Sequence, residues 1–173
     1  MRAARSRAEF DAFVIDGTDG LLRTAYLVVG DRAEAEDLVQ ETLMRVAKRW
    51  PKVRAMEHPL AYARRILVNL AVDGADRRNR RRAELSLADA AANRPDPVAT
   101  NGHLDNRAVL IAALAQLPPR QRAVLVLRYF LDLPEAEAAA ALGCSLGTVK
   151  SSASRGLARL EQALQPESDR SIK

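Results

Sequence analysis

The sequence predicts an all-α protein: two small helical domains joined by a flexible linker. Three observations carry that prediction. Hydrophobic residues make up 48% of the 173 and aromatics only 4%, so a core must be built mostly of Leu, Val and Ala, a composition that favours helices over a β-sandwich. Almost every periodic segment repeats at helical spacing, with no strand pattern and no internal repeat. The stretch "LADAAANRPDPVATNGH", Leu87 to His103, gathers Pro, Asn, Gly and Asp and has no sustained period. So long a segment inside one compact domain would be unusual, so it reads as a linker.

The elements follow in order. From Glu9 to Val29, apolar residues fall at Phe10, Phe13, Leu21, Leu22, Ala25 and Val28. Gly17 and Gly20 weaken the middle and allow a break there, and Gly30 ends the segment as a glycine just past a helix terminus. "DRAEAEDLVQETLMRVAKRW" begins with Asp31 as N-cap and Glu34 three residues on, like a capping box. Ala35, Leu38, Thr42 with Leu43, Val46 and Trp50 form its apolar stripe, and Pro51 stops it. Pro59 suits the first turn of the next helix, whose apolar face is Leu60, Ala63, Ile66 with Leu67, and Leu70. That helix ends in five arginines among the six residues Arg77 to Arg82, and Gly74 marks a bend.

After the linker, Asp105 or Asn106 caps a helix carrying Val109, Leu110, Ala113, Leu114 and Leu117. Pro118 and Pro119 break it. "RQRAVLVLRYFLDL" is another helix. Pro134 starts "PEAEAAAALG", closed by Gly143, and Ser145 caps a last helix running to about Leu164. A short Gly-containing turn between two helices is the signature of a helix-turn-helix. On the last helix, Val149, Ala153, Leu157, Leu160 and Leu164 would bury, leaving Gly147, Lys150, Ser151, Ser154 and Arg155 on the outer side. Small residues there let the backbone lie close in a major groove, while hydroxyls and cations bind phosphates and base edges. The free amides after Ser145 suit one phosphate. The plainer reading is an αα-hairpin with a solvated polar face.

Charge and composition bound the function. The net charge of +5 suggests an acidic partner, nucleic acid before membrane surface. Cys144 is the one cysteine, which excludes an internal disulfide and a cysteine-rich metal site and suggests a reducing compartment. No apolar run spans a bilayer and no signal-peptide pattern is present, so a cytoplasmic location without membrane insertion is expected. The only histidines are His58, before a proline, and His103, in the linker. No nucleophile motif, P-loop or metal-ligand cluster appears, so no catalytic residue and no cofactor is expected.

Two sets of motifs resemble a known family. "LRYFLDLPEAEAAAALGCSLGTVKSSASRGLARL" resembles region 4 of bacterial RNA polymerase sigma factors, with Leu142, Gly143, Ser145, Gly147, Thr148, Val149, Lys150, Ser151 and Arg155 matching the family pattern. "AYLVVGDRAEAEDLVQETLMRVAKRW" and "PLAYARRILVNLAVDGADRRNRRR" resemble sigma region 2. Region 2, a linker and region 4 with nothing else is the layout of the extracytoplasmic-function (ECF) sigma factors of the sigma-70 family. The resemblance covers about residues 9–82 and 105–164.

The resemblance implies a division of labour: region 2 at 9–82, the linker at 83–104 and region 4 at 105–165. Asp37, Leu38, Gln40 and Glu41 would dock on the β′ clamp helices of core RNA polymerase, whose β flap would hold region 4. Arg64, Arg65, Asn69, Asp73, Arg77 and Arg78 would hold the −10 promoter element, with Asn69 serving a pocket for a flipped base. Ser145, Gly147, Thr148, Lys150, Ser151 and Arg155 would read the −35 element as duplex. Charge agrees. Asp31 to Glu41 carries five acids against one arginine, net −4, a surface that repels phosphates; Lys52 to Arg82 carries nine cations against three acids, net +6. An anti-sigma factor is a possible further partner. The sequence departs from the family at Ser152, usually Arg, at Pro134, usually Ser, and at Ala138, usually Ile. The alternatives are a helix-turn-helix regulator working without polymerase and a pure interaction protein.

Overall fold

The computed structural model describes residues 2–86 and 106–165. Among them there are eight α-helices, one π-helical turn and no strand: α1 Arg2–Val29, α2 Arg32–Lys48, α3 Trp50–Val53, α4 Pro59–Ser86, α5 Asn106–Ala115, α6 Pro119–Leu125, the π-turn Val126–Phe130, α7 Glu135–Leu142 and α8 Leu146–Leu164.

The predicted caps are present. Asp31 accepts the amide of Glu34 at 2.8 Å and Ser145 accepts that of Thr148 at 3.2 Å. Gly30 (φ 81°) and Gly143 (φ 61°) end α1 and α7 in the left-handed region, where a side chain would be strained. Pro59 stands in the first turn of its helix as expected, and Pro51 and Pro119, expected only to end the helices before them, each also open the next one.

Several expectations are corrected. α1 runs unbroken through Gly17 and Gly20. Gly17 is where the Leu60 side chain of α4 crosses α1; a Cβ there would stand 3.2 Å from Leu60 Cδ1, so the glycine serves close packing. The segment after Pro119 is not one α-helix: Leu131 donates to Val126 O at 3.0 Å across five residues, widening the last turn. Arg128 then donates to Leu133 O and closes the turn, whose Asp132 has φ 51°. α4 continues without interruption through Gly74 and takes in the first residues expected as linker, 83–86. The rest of that linker, 87–104, and the Asp105 cap lie outside the described residues.

The halves also meet. Leu21, Ala25, Val28, Val46, Leu67, Val68 and Val72 from α1, α2 and α4 form one continuous core with Leu114, Val124, Leu127 and Ala138 from α5, α6, the π-turn and α7. Trp50 anchors the far end: it packs on Phe10 and Phe13 with centroids 5.2 Å from each, and its indole N–H donates to Ser6 O at 3.0 Å.

Candidate nucleic-acid and polymerase interface

The acidic start of α2 is an exposed ridge. Asp37 and Gln40 face solvent, Leu38 and Glu41 are half-buried, and Leu38 packs against the core beneath. The helix is anchored by Ala35, Val39, Thr42 and Val46, so Val39 holds the buried position expected of its neighbour Leu38. Glu41 pairs with Arg45 at 2.7 Å and Arg32 with Glu36 at 2.9 Å. The carboxylate of Glu36 raises the Arg32 pKa. Both pairs are solvent-exposed and add little stability.

On α4 the candidates divide by face. Ala63, Leu67, Ala71 and Val72 are buried, whereas Arg65, Asp73, Arg77 and Arg78 are exposed. Arg64 is half-buried, and its Nε is an enclosed donor without a partner. Arg77 Nε donates to Asp73 O at 3.2 Å, folding back along its own helix. Arg78 reaches α2 and pairs with Glu34 at 2.6 Å, tying the basic helix to the acidic one. Asn69 is half-buried and its Nδ2 donates to Ala141 O of α7 at 3.0 Å. Tyr62 lies against the core, its hydroxyl accepting from Arg49 at 3.3 Å.

The helix-turn-helix is formed by α7, the turn at Gly143 to Ser145, and α8. Ser145, Gly147, Thr148, Lys150, Ser151 and Arg155 are all exposed and line one side of the first three turns of α8. They are mutually ordered: Ser145 Oγ lies 2.9 Å from Thr148 Oγ1, and Arg155 donates to Ser151 O at 3.1 Å and to Ser151 Oγ at 3.2 Å. Lys150 Nζ is 3.6 Å from Glu135.

The buried seam of α8 differs from the expected one. It is Val149, Ser152 and Gly156, while Leu157 and Leu164 are exposed. Gly156 lets α8 approach α6: a Cβ would sit 3.2 Å from Leu125 Cγ. Ser152 is therefore a packing residue in this chain. Cys144 is half-buried in the turn.

One important residue was not foreseen. Arg122 of α6 is half-buried, and burial lowers its pKa, opposed by the nearby Glu34 charge. Its Nη1 donates to Val28 O at 3.0 Å and Val29 O at 3.3 Å; its Nη2 donates to Ala115 O at 2.7 Å and Leu117 O at 3.1 Å. One guanidinium thus satisfies the carboxyl-terminal ends of both α1 and α5, where helix dipoles favour a cation. The available signal was a cation three residues before buried Leu125, on the inner side of an apolar helix.

The comparisons agree with this arrangement. Residues 18–82 match Sigma-70 region 2 and residues 107–160 match Sigma-70, region 4. The RNA polymerase sigma-E factor of Streptomyces coelicolor is 38% identical over 156 residues, covering 90% of this chain and 86% of that protein. The ECF RNA polymerase sigma factor SigG of Mycobacterium tuberculosis is 31% identical over 192 residues, covering 97% of this chain and 52% of that protein. Among solved structures, the sigma factor RpoE of Bartonella quintana, crystallised with the anti-sigma factor NepR, matches with a TM-score of 0.66 and 28% identity, over 92% of this chain and 98% of its own.

The class is that of helical, non-enzymatic transcription initiation factors. The chain belongs to the sigma-70 family of RNA polymerase sigma factors, in its ECF group, and is an alternative sigma factor directing transcription initiation with RNA polymerase. Among the described residues no helix is long and apolar enough to cross a membrane, and no His, Cys, Asp and Glu cluster could hold a metal ion.

Proposed function

We propose that region 2 (9–82) docks on core polymerase through Asp37, Leu38, Gln40 and Glu41 and holds the −10 element on Arg64, Arg65, Asn69, Asp73, Arg77 and Arg78. Region 4 (105–165), joined through residues 83–104, reads the −35 duplex with Ser145, Gly147, Thr148, Lys150, Ser151 and Arg155. The chain works in the cytoplasm, adds no catalytic group of its own, and is open to capture by an anti-sigma factor. The observation that carries this reading is the separation of charge on one scaffold. The α2 start is acidic and unsuited to phosphate. The α4 segment is strongly basic, and the exposed α8 side combines hydroxyls, two cations and a backbone free of bulk. α8 alone carries little charge, so joining it to a second DNA-binding module and to polymerase supplies affinity through effective concentration.

The test is co-elution of the purified chain with sigma-free core polymerase from Streptomyces coelicolor on a sizing column. Wild type co-elutes; Asp37→Arg and Leu38→Arg, shown folded by circular dichroism, do not. Failure of folded wild type to co-elute at micromolar concentration overturns the reading.

A further inference from the structure

A run of hydrogen bonds climbs the exposed side of α8. Ser145 Oγ lies 2.9 Å from Thr148 Oγ1, and Ser151 Oγ donates to Thr148 O at 3.2 Å. Arg155 then returns to Ser151 twice, Nε to the carbonyl at 3.1 Å and Nη2 to Oγ at 3.2 Å. Steps of three and four residues keep these side chains on one helix face.

The chemistry of the two end members is opposite. A serine hydroxyl has one hydrogen to donate. That of Ser151 is given to Thr148 O, and a lone pair on the same oxygen takes Arg155. Phosphate oxygens, guanine O6 and N7 and thymine O4 are all acceptors, so Ser151 has no hydrogen left for any of them. Arg155 is the one arginine among the six α8 candidates. Its Nε–H and one N–H of Nη2 turn back to the helix, which leaves the N–H groups of the guanidinium's outer edge, on Nη1 and Nη2. Two adjacent donors in one plane match the O6 and N7 pair of guanine.

We propose that Ser151 is a positioning residue for the −35 duplex and not a reader of it. It fixes the plane of the Arg155 guanidinium, and Arg155 makes the base contact. This rests on the reading of α8 as the −35 helix. The bond to the Ser151 carbonyl needs no side chain, but alone it leaves the guanidinium free to turn. The bond to Oγ is the second point that stops the turning. An arginine ordered before DNA arrives has less rotamer freedom to lose on contact. Without Oγ the preferred sequence is bound less well, while the charge that attracts any phosphate is unchanged.

The test sequences the duplexes that the full chain retains from a random-sequence duplex library. Fluorescence anisotropy then compares the duplex most enriched by wild type with the unselected library. Ser151→Ala places a better helix former at an exposed position of α8, so the variant folds. It is expected to bind the enriched duplex about twofold to about tenfold more weakly. Its affinity for the unselected library should stay within about twofold of wild type, with the same salt slope. It should weaken the preference at the base pair where Arg155→Ala abolishes it. Ser151→Thr keeps the oxygen and should restore the preference. In an Arg155→Ala background, Ser151→Ala should cost nothing further.

Ser151→Ala that matches wild type on the enriched duplex, a preference lost at a different base pair, additive costs in the double variant, or Ser151→Thr that behaves like Ser151→Ala overturns the positioning role. The underlying reading fails separately. A wild-type chain that enriches no sequence, or an enrichment that Arg155→Ala leaves whole, removes Arg155 as a reader and the role of Ser151 with it. An enrichment that Arg155→Ala abolishes and Ser151→Ala leaves whole keeps α8 as the −35 helix and removes the role of Ser151 alone.

Discussion

Ser145 is where stability and recognition can be separated at one atom. Its Oγ caps α8 by accepting the Thr148 amide at 3.2 Å, at the long end of N–H···O hydrogen bonds, whereas Asp31 caps α2 at 2.8 Å. Ser145→Ala should therefore cost roughly 0.5–1 kcal/mol, in the lower part of the range for lost caps. For a chain of this length that is a fall of about 2–4 °C in Tm per kcal/mol. Ser145→Asp keeps the acceptor and adds a negative charge at the positive end of the helix dipole, so its Tm should equal or exceed that of wild type. The same charge faces the phosphate that the helix start would bind. At about 4 Å the repulsion is about 1 kcal/mol in water and about 4 kcal/mol at an interface dielectric near 20. Duplex affinity should then fall between about fivefold and about a thousandfold. Thermal melts and duplex anisotropy on the two variants check both halves of the argument. A folded Ser145→Asp that binds duplex as tightly as wild type would show that the start of α8 does not face DNA.

Two further outcomes follow from the packing and the charges. Gly20→Ala, in the interior of α1 with nothing within 4 Å of the added Cβ, should gain up to about 1 kcal/mol from helix propensity, whereas Gly17→Ala should gain less or lose, because its Cβ meets Leu60 Cδ1 at 3.2 Å. Equal gains in thermal melts at both positions would refute the close-packing role of Gly17. Lys150→Ala should leave Tm nearly unchanged, since its pairing with Glu135 is exposed and 3.6 Å long. It should reduce the salt slope of duplex binding by about one unit; an unchanged slope would exclude Lys150 as a phosphate contact.

Features that depend on a few neighbouring residues could be read before any packing was known. The caps at Asp31 and Ser145, the left-handed stops at Gly30 and Gly143, Pro59 in the first turn of its helix and the helix-turn-helix spacing are all local chemistry, and the structure contains each of them. The opposed charges of α2 and α4 were legible for the same reason, because charge is a property of the residue wherever the chain takes it.

Which apolar residues are buried, and against what, follows from how the helices pack. On α2, Val39 is fully buried while Leu38 is only half-buried against the core. Val149, Ser152 and Gly156 rather than Leu157 and Leu164 form the seam of α8, and at Gly156 Leu125 of α6 comes close enough that an added Cβ would meet it at 3.2 Å. Gly17 does not break α1, and Leu60, 43 residues away, packs where a side chain at Gly17 would stand. The packing of the two halves was least legible of all. It turns on Arg122 meeting carbonyls of Val28 and Val29, more than ninety residues away, and on Asn69 meeting Ala141. A backbone carbonyl is present at every residue and leaves no mark in a sequence. Which of them a distant side chain will reach is fixed only when the helices have packed and their unpaired ends have been brought into place.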